Sequence, residues 1–123
     1  MKIIDAIERT DALKHNTYSQ ADKVAWLSRV DWMVKKHIID THEGGEEITF
    51  TGYNSTTDLD TEMLVPEPHD DLYLKWLEAQ IDYTNGEYDK YNSSIEMFQT
   101  VYDSYASYYN RNHMPKGKKF KYF

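Results

Sequence analysis

Apolar and aromatic side chains return at spacings of three and four in four stretches of this chain, and each stretch predicts an amphipathic helix. The first covers residues 2–14 and points Ile3, Ile4, Ile7 and Leu13 to one side. The second opens at Ser19, an N-cap with Asp22 three residues on, and runs to about Thr41 with Val24, Leu27, Val30, Val34 and Ile38 inward. Trp26, Trp32 and Met33 broaden that face. The third follows Pro66 and Pro68, which keep the chain extended, takes His69 or Asp70 as its cap and carries Tyr73, Leu74, Leu77 and Ile81. Asn85-Gly86 stops it, and the fourth begins at once and reaches about Asn112. Its stripe of Tyr88, Tyr91, Ile95, Phe98, Tyr102, Tyr105 and Tyr109 persists over three heptads, so the last two helices are expected to form an antiparallel hairpin.

Between the second and third helices the pattern changes. Gly44-Gly45 ends the helix, and Ile48-Thr-Phe-Thr-Gly-Tyr53 alternates large apolar with small or polar residues, which predicts a strand or one arm of a hairpin. Irregular chain continues to Pro68. A connection this long within a compact domain is usually functional or disordered, and residues 43–68 are read as a protruding loop, with Ile48, Phe50, Tyr53, Leu59 and Met63 as its contacts to a neighbouring copy. The fold class expected is mainly α: a small helical bundle with a C-terminal antiparallel helical hairpin and a long protruding loop or β-hairpin. Residues 1–115 make the helical domain, and residues 116–123 a basic aromatic tail.

Five of the seven stripe residues are tyrosines, whose rings favour burial while their hydroxyls need a partner, a combination common where protein surfaces meet. The stripe reads as the internal core of the hairpin, with Tyr83, Met97 and Tyr108 flanking it as inter-subunit contacts. Mean hydropathy is −0.80 although 40% of residues are hydrophobic, because much of the apolar surface belongs to amphipathic side chains, 11 of them Tyr. Assembly would cover them.

The formal charge is −7, and the four lysines of the tail make the rest more acidic still, at 10 basic against 21 acidic residues. No Lys or Arg lies between Lys36 and Lys75. Glu43, Glu46, Glu47, Asp58, Asp60 and Glu62 stand in that span, as either a solvated loop or the wall of a channel. This balance argues against a general nucleic-acid binder. The tail, Lys116, Lys118, Lys119, Phe120, Lys121, Tyr122 and Phe123, combines steering charge with aromatic anchors and is expected to order on docking.

Candidate chemistry is sparse. Without cysteine there is neither a disulfide framework nor a thiolate zinc site. His37, Asp40 and His42 resemble metal ligands in type, but their spacing does not align all three on one helical face. Asp70-Asp71 and Glu46-Glu47 lack a setting that would desolvate them or supply a partner. Gly44-Gly45 lacks the Lys and Ser or Thr of a phosphate cradle. No enzyme, cofactor or metal is expected. Residues 1–9 lack the apolar core of a secretion signal, and no stretch approaches the ~20 apolar residues of a membrane span.

Three blocks carry a resemblance: Thr57-Asp-Leu-Asp-Thr-Glu-Met-Leu-Val-Pro-Glu-Pro, Ala79-Gln-Ile-Asp-Tyr-Thr-Asn-Gly-Glu-Tyr-Asp-Lys-Tyr-Asn and Tyr108-Tyr-Asn-Arg-Asn-His-Met-Pro. Together they span roughly the second half of the chain, which resembles the small head-tail connector (adaptor) proteins of long-tailed bacteriophages. The resemblance implies a mostly helical virion subunit assembled with copies of itself in a ring of about twelve, closed by heterologous contacts. Such a ring lies under the capsid portal, above a stopper or tail-completion protein, and surrounds genomic DNA that passes without specific binding. The portal would then be the partner of the tail. A different reading of the same residues is a small intracellular regulatory module that forms a homodimer through the tyrosine stripe.

Overall fold

The third helix is the centre of the molecule, because it is the one that every other long element packs against. In the structure, a computed structural model that describes residues 1–116, four α-helices follow one another: α1 (Ile3–Leu13), α2 (Gln20–Val34), α3 (Leu72–Thr84) and α4 (Tyr88–Asn112). α3 buries Leu72, Tyr73, Leu74, Trp76, Leu77, Ala79, Ile81 and Asp82, an almost continuous surface that touches α1, α2 and α4 in turn. α4 is its antiparallel partner and buries only Phe98, Tyr105 and Tyr109 of its 25 residues. The architecture is a small helical bundle with a C-terminal hairpin.

Local sequence accounts for several boundaries. Ser19 caps α2, its Oγ accepting from the Asp22 N–H at 3.1 Å, and all five apolar residues expected to face inward from α2 are buried. The helix does not end at Val34 but widens into a turn of π-helix over Lys35–Ile39, closed by the Asp40 N–H on the Lys35 carbonyl at 2.8 Å. Lys35, nearly buried, turns back to bond Asp40 and the Gly45 carbonyl. Asn85-Gly86 ends α3, with Gly86 in the left-handed region. The capping expectation for α3 fails: Asp71 occupies the position and its side chain makes no capping bond.

Gly44 takes a left-handed φ of 84°, whereas Gly45 is required by a close approach. A Cβ there would stand 2.4 Å from the Ile39 carbonyl oxygen, which is backbone and cannot swing aside. Gly45→Ala should therefore lower stability by about 2 kcal/mol, as overpacking against an immobile group does. A thermal melt that matched the parent would show that the π-turn yields.

No strand forms over residues 48–53: they run extended but join no ladder, and among the described residues only two isolated bridges occur, Lys2 with Glu62 and His42 with Pro115. The expected protruding loop is a strap for much of its length. The carbonyls of Leu59 and Thr61 accept from the Ile4 and Ile3 N–H groups at 3.0 and 3.1 Å, so the strap satisfies the first donors of α1. Met63 and Val65 are core residues. Residues 46–49, 54–56 and 66–68 are its fully exposed stretches. The strand pattern was offset by this pull of the core on both ends of the segment. Leu13, expected on the inner face of α1, is exposed because the helix ends with it.

Candidate interaction surfaces

One buried carboxylate organises the strap. Asp31 lies on the apolar stripe of α2, at zero exposure, and accepts from the Tyr53 hydroxyl at 2.5 Å, the Tyr73 hydroxyl at 2.6 Å and the Leu64 N–H at 3.2 Å. The Tyr73 hydroxyl in turn accepts from the Val65 N–H at 2.8 Å. Burial pushes the Asp31 carboxyl up, and the hydrogen bonds from Tyr53 and Tyr73 act against that rise. Both hydroxyls are themselves held in the neutral form by burial and by the adjacent carboxylate. The cluster is structural in geometry: it fastens residues 53, 64 and 65 to α2 and α3.

Where the strap crosses α2 it exposes an aromatic patch. Gly52, with φ of 88°, passes so close to Trp32 that a Cβ would lie 3.0 Å from the indole nitrogen, and the Tyr53 N–H donates to Ser28 Oγ at 3.0 Å. This seats Phe50 edge-on against Trp32 (centroids 4.8 Å apart) and Tyr53 against Phe50 (5.1 Å). Trp32 remains 46% exposed and Ile48 38%. Of the residues expected to contact a neighbour, Phe50 sits in this patch, Ile48 is exposed two residues before it, Tyr53 is committed to Asp31, Leu59 is half-buried and Met63 is internal.

A second aromatic surface caps the α3–α4 connection. Tyr83 meets Tyr88 and Tyr91 at centroid distances of 5.7 and 5.2 Å, and Tyr83 and Tyr88 are more than half exposed. Tyr88 is thus not core, as the stripe implied: it lies at the tip, where α3 has already ended. Further along, Phe98 packs on Trp76, Tyr102 and Ile95 are half-buried, Tyr105 contacts His69, and Tyr109 meets His42. The tyrosine stripe is core in its second half only. The Tyr18 hydroxyl bonds Asn85, which sets the tip beside the start of α2. Trp32 lies thirteen residues after Ser19, so about 20 Å of helix separates the two surfaces.

The acidic residues singled out by sequence, Glu43, Glu46, Glu47, Asp58, Asp60 and Glu62, are all exposed. Three hold ion pairs: Glu62 with the Met1 ammonium (3.1 Å), Asp60 with Lys2 (4.0 Å) and Glu46 with Lys116 (3.2 Å). The tail begins with Lys116, whose N–H also donates to the Thr41 carbonyl at 2.8 Å; Lys118, Lys119, Phe120, Lys121, Tyr122 and Phe123 lie outside the described residues. His37, Asp40 and His42 do not converge. Asp40 is bonded to Lys35, while the buried His42 ring places Nδ1 at 2.5 Å from the Ile38 carbonyl and Nε2 at 2.6 Å from Asn110 Oδ1. Among the described residues no three His, Asp or Glu side chains are grouped to hold a metal ion, and no helix is long and apolar enough to cross a membrane.

Family models, curated proteins and solved structures offer no match to this chain. The site must be read from its own geometry. Sequence reasoning missed Asp31, whose signal was a charged residue at the register of Leu27 and Val34 on a buried stripe. It also missed His42 as the hub that ties the end of α4 to the π-turn.

Proposed function

We propose that this chain is a structural, non-enzymatic virion protein: a subunit of an adaptor ring that joins the capsid portal to the tail or neck and surrounds the DNA channel. The observation that carries the reading is the presence of two different aromatic surfaces, Trp32 with Phe50 on one and Tyr83 with Tyr88 on the other, at opposite ends of α2. A ring closes through heterologous contacts, in which one patch of each subunit meets a different patch of the next, whereas a two-fold dimer uses one patch against itself. Two unlike patches suit the first. The burial of Phe98, Tyr105 and Tyr109 leaves less of the tyrosine stripe for the homodimer alternative.

Charge agrees with a conduit, since exposed carboxylates repel phosphate and let a duplex slide where a basic wall would hold it. The family resemblance in residues 57–68, 79–92 and 108–115 points the same way. In this assignment the tail binds the portal, the partner below is a stopper or tail-completion protein, and the protein resides at the head-tail interface of the virion.

The test is reconstitution. Purified chain mixed with the portal ring encoded beside it should add a ring of about twelve copies, visible by electron microscopy, through contacts that repeat around the axis. A stable dimer indifferent to the portal would overturn the reading. Tyr83→Ser with Tyr88→Ser should leave the unfolding free energy within about 0.5 kcal/mol of the parent, because both rings are mostly exposed, yet prevent ring closure. Normal rings from that variant would remove the hairpin tip from the interface.

A further inference from the structure

Each aromatic surface has charge of one sign beside it. Trp32 is flanked on its own helix face by Arg29, three residues before, and Lys36, four after. Both are exposed, and among the described residues neither forms an ion pair. On the strap side of the same patch Glu46 is paired with Lys116, and Glu47 is exposed three residues before Phe50, so the basic rim is the α2 side. At the hairpin tip Asp89 follows Tyr88 directly, is exposed and has no ion-pair partner among the described residues. Glu87, on the other side of Tyr88, holds Lys90 at 2.7 Å, which leaves the tip with unmatched negative charge.

These signs decide which surface can meet which. Two patches face to face would set Arg29 and Lys36 against the same cations of the other copy. Two tips would set Asp89 against Asp89. Like charges brought together in this way oppose either self-pairing, whereas the tip laid on the patch brings opposite charges together around the four rings.

We infer that the Trp32–Phe50 patch is the docking site for the hairpin tip of a second copy, with Tyr83 and Tyr88 on its rings and Asp89 against Arg29 and Lys36. This rests on the head-to-tail part of the reading above and is independent of the portal. Because the two surfaces lie about 20 Å apart along α2, each copy gives its tip to one neighbour and its patch to another, and the contact repeats.

Sedimentation equilibrium of the full chain tests it. The parent's average mass should climb past that of a dimer as concentration rises to about 1 mM, the range of a contact worth only a few kilocalories. Trp32→Ser alone, and Tyr83→Ser with Tyr88→Ser alone, should each stay monomeric. Their equimolar mixture should form a dimer and stop there, since one intact tip and one intact patch remain between the two chains. Arg29→Glu with Lys36→Glu, both at exposed positions, should weaken association about tenfold, and Asp89→Lys added to the same chain should restore most of it. A parent monomeric at about 1 mM, or one that levels off at a dimer, would overturn the inference. So would a mixture that stays monomeric or grows beyond two copies, or an Asp89→Lys that restores nothing. Capped dimers from a chain indifferent to the portal would keep this contact and refute the virion assignment; portal-bound rings formed normally by each single-surface variant would do the reverse.

Discussion

Asp31→Ala should remove about 3–5 kcal/mol of stability, enough to unfold a large share of molecules in a chain this size. The substitution takes their shared acceptor away from the buried Tyr73 hydroxyl, the half-buried Tyr53 hydroxyl and the Leu64 N–H. The cost is that of stranded donors more than of a lost pair. Urea unfolding followed by circular dichroism reads it directly. Asp31→Asn keeps the shape and one acceptor, so it should cost less and expose the electrostatic part. Burial holds the Asp31 carboxyl above its ordinary 3.8, so the fold favours the protonated form. That contribution is complete below about 3.8 and is lost as pH rises through the elevated value. Relative to Asp31→Asn, the parent should thus lose stability on going from pH 3.5 to neutrality, and parallel pH curves for the two would contradict the account.

Phe98→Ala should cost about 3–5 kcal/mol, since the ring is 1% exposed and packs 5.0 Å from Trp76, centroid to centroid. Trp76 cannot follow it into the void because its indole N–H donates to the Trp26 carbonyl at 2.8 Å. Tyr88→Ala on the same helical stripe should change stability by less than about 0.5 kcal/mol. Equal losses at the two positions would mean that the hairpin tip is buried in the molecule as it exists in solution.

The contrast between those two residues shows what periodicity conveys. Spacing told which side of α4 faces inward, and Phe98, Tyr105 and Tyr109 comply. It carried no information about how far the partner extends, and α3 stops at Thr84, before Tyr88 can be covered. Helix starts and stops were legible where a short-range cause exists: Ser19 bonding Asp22, Gly86 turning left-handed, α4 ending at Asn112. The strap was not, because its course depends on a partner 22 and 33 residues away in sequence, Asp31 with Tyr53 and with Leu64. No local pattern distinguishes an extended segment that will pair with a strand from one that will lie across helices. The aromatic patch was half legible: Trp32 and Phe50 were each visible as large apolar residues, but their meeting needed Gly52.

That only three of the 25 residues of α4 are fully buried has an evolutionary corollary. Some fifteen exposed positions are uncoupled from the interior, so a lineage is free to rewrite them as its neighbours diverge, retuning what the subunit grips without renegotiating how it folds.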